Sequence, residues 1–188
     1  MILLLAIVLS FTIAFVRGGR LERLADVPIR HGWIALIALV LQILMVYGPV
    51  AGLGWLMLAS YGLLVLVIGL NWRLPGMPLV GAGLALNLAV MAVNGGFMPI
   101  APETLSRAGL EHLAASLETG TYVTNAKDVL LPREATRLWW LSDILVVPLP
   151  SPLKAVLSVG DLVLAIGAVI FIQKAMLRQV VREGAVQQ

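Results

Sequence analysis

The sequence predicts an all-α, polytopic membrane helix bundle of about five transmembrane helices, with a partly helical extracytoplasmic cap between helices four and five. Three observations predict it. The 188 residues are 60% hydrophobic and only 12% charged, where a soluble domain carries about 25% charged residues. Several apolar runs reach the roughly 18–20 residues that cross a bilayer. The basic residues fall in alternate connections, as orientation in a membrane requires. The whole chain, 1–188, reads as a single integral-membrane domain.

The spans fall at about 1–16, 33–47, 53–70, 79–97 and 153–176, by apolar run and by the breakers between them. In the first, nothing basic precedes the apolar core, and Arg17, Arg20 and Arg23 follow it. That polarity suits a retained helix with its N-terminus outside rather than a cleaved signal peptide. Gly18-Gly19 makes a turn, and Leu21, Leu24 and Val27 form a short amphipathic piece. Trp33 and Tyr47 mark the ends of the second span as interfacial aromatics. Gly48-Pro49-Val50-Ala51-Gly52 is an uncharged turn, and Asn71 to Pro78 is a second turn that carries Arg73. The fourth span closes at Asn94-Gly95-Gly96-Phe97-Met98-Pro99, where paired glycines stop a helix.

The cap covers about 99–152. Pro102-Glu103-Thr104 opens a helix through about Leu117, with an acid in the first turn where the helix dipole favours it. Residues 119–132 read as turns. Residues 134–147 read as a second helix carrying Trp139-Trp140 and ending before Pro148. Arg17, Arg20, Arg23, Arg30, Arg73, Arg178 and Arg182 then share the cytoplasmic side, with the N-terminus outside and the C-terminus inside. Localisation in a bacterial cytoplasmic (inner) membrane is the expectation.

Cysteine is absent, which excludes disulfides, thiolate metal sites and cysteine nucleophiles. His31 and His112 make no ligand-spaced pair, so no metal site is expected. The net charge of +3 includes no basic patch interleaved with aromatics, and no nucleic-acid partner is expected.

The chemistry is carried by polar groups at membrane depth. Gly83, Asn87, Met91 and Asn94 share one face of helix four; Ser158, Asp161, Ala165 and Ala168 share one face of helix five. Small residues and buried polar groups are what membrane helices use to pack, so these faces meet. Asn94 and Asp161 are placed on the order of 7–12 Å below the outer boundary. An intramembrane acid marks a site by default, and capping or interhelical bonding is the competing role. Asn87 and Asn94 lean to that structural role, and Gly95-Gly96 to a helix stop. Trp139 and Trp140 lean to interfacial anchoring. Asp143 follows Trp139 by four residues, on the same side of the expected outer helix.

Four segments carry a resemblance: Gly18-Gly19-Arg20-Leu21-Glu22-Arg23-Leu24-Ala25-Asp26, Asn94-Gly95-Gly96-Phe97-Met98-Pro99, Leu141-Ser142-Asp143-Ile144 and Ser158-Val159-Gly160-Asp161. In this order they resemble a bacterial integral-membrane family catalogued as domain of unknown function 5317. The resemblance implies a fold and residues of interest, and no activity or cofactor.

The residues make no complete catalytic set. The expected function is a non-enzymatic binding or accessory protein. Its outward pocket would hold a lipid, quinone or small ligand, or dock onto a larger membrane complex. The ligand-binding candidates are Asn87, Asn94, Gly95, Gly96, Trp139, Trp140, Asp143, Ser158 and Asp161. One alternative is an intramembrane hydrolase using an Asp143/Asp161 carboxylate pair, one protonated and one ionised. Another is a small transporter or channel working as a homo-oligomer, with a polar path past Asn87 towards Arg73. Membrane lipids are the expected general partners.

Overall fold

The computed structural model describes residues 2–47, 53–111, 120–123, 127–148 and 155–178. Its helices are α1 (Ile2–Val16), α2 (Leu21–Ala25), α3 (Gly32–Tyr47), α4 (Gly54–Leu70), α5 (Met77–Val93), α6 (Pro102–Arg107) and α7 (Val159–Met176). Four three-residue strands, β1 (Met98–Ile100), β2 (Asp128–Leu130), β3 (Leu145–Val147) and β4 (Ala155–Leu157), lie between α5 and α7. The fold is mostly helical, and among the described residues its strands form two two-stranded ladders. β1 pairs in parallel with β2, and β3 pairs antiparallel with β4.

The long helices pack as a series of neighbours, α3 on α4, α4 on α5, α5 on α7 and α7 on α1. Met45, Met57, Met91 and Met98 fill the main core with Leu84 and Val90; unbranched methionine suits the irregular gap between bundle and cap. Among the described residues, α7 alone is long and apolar enough to cross a membrane, with 18 residues at a mean hydropathy of 1.8; α1, α3, α4 and α5 are shorter apolar helices.

The α5–α7 contact rests on glycine. A Cβ at Gly83 would stand 2.5 Å from the Gly160 carbonyl oxygen and 2.6 Å from the Leu164 nitrogen. One at Gly167 would stand 2.6 Å from the Val80 nitrogen. The two backbones therefore touch along the seam, which only missing side chains permit.

Several boundaries differ from the sequence reading. Helix four stops at Val93 instead of residue 97, because Gly95 and Gly96 take φ of +81° and +92°. The Gly96 N–H then donates to the Met91 carbonyl at 2.8 Å, the six-to-one bond of a Schellman turn. Phe97 to Ile100 are buried, and Met98 to Ile100 continue as extended chain. Helix five begins at Val159 rather than 153. A reciprocal capping box sets that start: Ser158 Oγ accepts from the Asp161 N–H at 2.9 Å, and Asp161 Oδ2 accepts from the Ser158 N–H at 3.3 Å. Asp161 therefore lies in the first turn, not two turns inside.

The expected helix over 134–147 does not form. Its place is taken by 3-10 turns at Arg133–Ala135 and Trp139–Leu141, followed by β3. Leu138 sits between the turns at φ +54°, and Leu145 to Val147, two of them β-branched, pair with β4 instead of coiling. The helix opened by Pro102 ends at Arg107, and the chain turns at Gly109 with φ +66°. Its expected continuation over 112–117 lies outside the described residues. So do the turn at 48–52, part of the segment 119–132, and Arg182.

Asn94 closes the cap end of α5. Its Nδ2 donates to the Val90 and Arg137 carbonyls at 2.7 and 2.8 Å, and its Oδ1 accepts from the Arg137 N–H at 3.0 Å. Asn94→Ala should lower stability by about 1–2 kcal/mol, since these partly exposed bonds revert to water. Limited proteolysis should then nick the chain near Arg137 sooner than in wild type. Unchanged cleavage there would show that Asn94 does not hold the cap down.

Candidate functional site

α5 and α7 bring Asn87, Ser158 and Asp161 together. Asn87 Nδ2 donates to Asp161 Oδ1 at 2.7 Å, and Ser158 Oγ donates to Asn87 Oδ1 at 2.7 Å. With the capping box this closes a ring of hydrogen bonds across the helix seam. Asn87 and Ser158 are fully buried, and buried polar groups this well satisfied stabilise more than they cost. Lys127, in the cap, adds an ion pair: its Nζ lies 3.4 Å from Asp161 Oδ2, each side chain being 27% exposed. The partners account for both oxygens of Asp161, which serves as helix cap and interhelical tie.

Lys127 and Asp128 were not singled out in the sequence. They lead into β2, which Tyr122 flanks by an antiparallel bridge to Val129 and which register pairing sets against β1 with Met98 opposite Asp128. On the strand's other flank, Ile100 bridges Asp143 in parallel, and the Asp143 N–H donates to the Pro99 carbonyl at 3.2 Å. β1 thus carries Asp128 on one side and Asp143 on the other, and their carboxyls come within hydrogen-bonding reach of each other. One signal for Lys127-Asp128 was available: an adjacent charge pair before the apolar run Val129-Leu130-Leu131 is unusual in a chain so poor in charge.

The electrostatics separate these acids. Burial pushes the proton affinity of Asp143 well above the usual carboxylate range; Lys127 opposes this, and Asp128 and Asp161 reinforce it. Burial likewise raises Asp128 against the pull of Lys127. Burial alone would lower Lys127, but Asp143, Tyr61, Asp161 and Asp128 outweigh it and hold the ammonium charged. Asp143 is 3% exposed. Among the described residues, neither Asp143 Oδ1 nor Asp128 Oδ1 receives a hydrogen bond from an N–H or O–H donor. A buried carboxyl beside a half-buried one, each with a covered oxygen that no donor reaches, needs a proton between them or a donor brought from outside.

The other candidates disperse. Asn94 bonds the Arg137 backbone and shares no hydrogen-bond partner with Asp161. Gly95 and Gly96 form the turn, and Gly96 backs directly onto Gly54 of α4. Trp139 is covered by the Arg133 guanidinium at 3.7 Å, while Trp140 is 53% exposed. Among the described residues no group of three or more His, Asp or Glu side chains is placed to hold a metal ion. Below Asn87, the α5–α7 seam towards Arg73 is shut by the backbone contacts of Gly83 with Gly160 and of Gly76 with Gly167.

No curated protein and no solved structure matches the chain. A family of unknown function, DUF5317, matches residues 26–173. The match runs from the end of α2 through α3, α4, α5 and the whole cap, and most of the way along α7. The chain therefore belongs to the DUF5317 family.

Proposed function

We propose that this chain is a five-span protein of a bacterial inner membrane, N-terminus outside and C-terminus cytoplasmic, that works without catalysis. In this reading the cap end binds a lipid, quinone or other small ligand, or a group presented by a larger membrane complex. Support for membrane placement comes from the large apolar side chains turned outward, among them Leu4, Leu36 and Trp55, each 64% exposed. An apolar exterior on this scale calls for lipid or a partner. The helices of 15–17 residues are about 22–26 Å long, short enough to require local bilayer thinning or interfacial side chains. The first connection and the third meet at one end, where Asn71 exchanges two hydrogen bonds with the Arg30 backbone at 2.8 and 2.9 Å. That pairing keeps the basic connections opposite the cap.

The observation that carries the binding reading is the donor-poor carboxyl pair of Asp128 and Asp143 within the cap. It fits a ligand that brings a hydroxyl or amine donor, with Lys127 balancing the charge. The test compares small molecules extracted from purified wild type and Asp143→Asn by mass spectrometry. Wild type should retain a donor-bearing molecule that the variant loses by about tenfold or more, the effect of one charge-assisted bond. Equal retention would remove Asp143 from the site.

The same substitution has a pH signature. The folded state holds a proton at Asp143 more tightly than the unfolded chain does, so this group's contribution to stability falls as pH rises above about 4. Lowering the pH from about 7 to 5 should therefore raise the melting temperature of wild type more than that of Asp143→Asn. A parallel response in both proteins would contradict the raised affinity.

A second reading, an intramembrane hydrolase, is favoured by one observation: two adjacent acids of raised proton affinity can share one proton as an acid–base pair. The pair in contact is Asp128 with Asp143, whereas Asp161 is engaged by Asn87, Ser158 and Lys127. If this reading holds, Asp128→Asn should retain an uncleaved substrate instead of releasing a ligand.

A further inference from the structure

At the end of the bundle opposite the cap, α1 and α7 leave an open cleft of about 490 Å³ lined by Arg17, Pro75, Gln173, Lys174, Leu177 and Arg178. Its polar wall is built from a fixed chain of contacts. Gln173 Nε2 donates to the Ser10 carbonyl at 2.6 Å and lies 3.2 Å from Ser10 Oγ; Gln173 Oε1 in turn accepts from Arg17 Nη1 at 3.0 Å. Ser10 is buried at the α1–α7 contact, so Arg17 is held over the cleft by the helix packing itself. The carbonyl end of α7 is served separately: the Arg20 N–H and Arg23 Nη1 both donate to the Met176 carbonyl at 3.2 Å. Arg17, Lys174 and Arg178 are left facing the opening, and among the described residues none has a carboxylate ion-pair partner. Among the described residues, no acidic side chain lines the cleft.

We infer that this cleft binds a phosphate-bearing anion, supplied by the head group of an anionic phospholipid in the inner leaflet. Three like charges around one opening repel until an anion enters, and together they outweigh the partial negative charge of about half a unit at the end of α7. Guanidinium groups match phosphate oxygens in pairs, which a lone ammonium does not. The lining also decides the source. Pro75 and Leu177 give the cleft an apolar wall beside its cations, and its volume lies in the range of small-molecule pockets, about 300–1,000 Å³. An amphiphile uses both features; free phosphate uses only the cations. The inference rests on the membrane reading above but not on the Asp128–Asp143 site, which lies at the other end.

The test uses the full chain purified in a neutral detergent. Its melting temperature is followed while phosphatidylglycerol, phosphatidylcholine or inorganic phosphate is added, and retained lipid is counted by native mass spectrometry. Phosphatidylglycerol should be retained about tenfold over phosphatidylcholine, the order expected when several cations each act on one anionic head group. It should also raise the melting temperature, and Arg17→Gln/Lys174→Gln/Arg178→Gln should lose both effects. Because the triple variant can fail to fold, Arg178→Gln and a salt series on wild type provide independent readings. The preference should weaken in both, and in wild type it should fade at about 0.5–1 M salt, where charges are screened within a few ångströms. Equal retention of the two lipids, or a preference untouched by salt and by Arg178→Gln, would overturn the inference. Equal stabilisation by inorganic phosphate would overturn the lipid source and leave a phosphate site. Asp143→Asn should keep the lipid preference, so failure of the outer site is read separately. Release of the chain from membranes by alkaline carbonate would overturn the lipid source together with the membrane reading.

Discussion

Gly160→Val should prevent the bundle from assembling. A Cβ at Gly160 would collide with the Asn87 side-chain oxygen and stand 2.7 Å from the Gly83 carbonyl oxygen. Valine adds two further carbons in a seam where both partners are fixed. Gly83 lies on the helix backbone opposite, and Asn87 is tied to Ser158 and Asp161 at 2.7 Å each. Overpacking alone costs about 1–3 kcal/mol, and two lost buried hydrogen bonds add about 1–1.5 kcal/mol apiece. The sum, on the order of 3–6 kcal/mol, rivals the whole stability of a marginal fold, about 5–15 kcal/mol. The variant should elute as aggregate on size exclusion, with helix content surviving better than defined melting. Gly62 of α4 has no heavy atom within 4 Å of an added Cβ, so Gly62→Ala should be neutral or slightly stabilising. A monodisperse Gly160→Val protein melting like wild type would mean that α5 and α7 do not touch as described.

Lys127→Met should have the next largest effect. It removes the cation that faces Asp143, Asp161 and Asp128 together. Breaking a fully buried pair costs about 3–5 kcal/mol, and with Lys127 and Asp161 each 27% exposed a loss of about 2–3 kcal/mol is expected. The loss has a direction in pH. Without the ammonium, the carboxylates repel one another until one or more take up protons, so acidification from pH 7 towards 5 should recover part of the stability. Asp143→Asn on the Lys127→Met background should recover it at neutral pH, because it removes a charge instead of titrating it. Chemical unfolding of the four proteins of this cycle measures the coupling directly. Additive effects would show that Lys127 and Asp143 act independently.

The sequence was most legible where chemistry is periodic or absolute. Apolar runs without charge placed five long helices close to where they occur, because helix formation in such segments depends on composition and length alone. Gly95-Gly96 marked a stop because two residues without Cβ accept positive φ where others do not. The face of Gly83, Asn87 and Met91 was readable from helical spacing, and those residues are buried. Ser158-Val159-Gly160-Asp161 also contained a readable start signal, a serine followed three residues later by an acid. Treating Ser158 and Asp161 as points along a longer helix hid it.

The cap was poorly legible for a physical reason. Apart from α6, its described elements are three-residue strands and 3-10 turns, too short for any hydrophobic period, and the strands owe their conformation to partners distant in the chain. β1 pairs with a strand thirty positions along and bridges Asp143 beyond that. Trp139, Trp140 and Asp143 fit a helical spacing, yet Leu138 at φ +54° breaks the helix that the spacing implied.

By itself, then, the chain determined its mostly helical character, its long helices and the face on which α5 meets α7, since side-chain size and polarity along one segment are local properties. Only the tertiary structure decided which acids meet. Asp161 is satisfied by its own helix start and by Asn87, while Asp128 and Asp143 are drawn together by pairing on either flank of β1. A carboxyl's role depends on the donors and charges that surround it, and those come from segments that the linear order keeps apart.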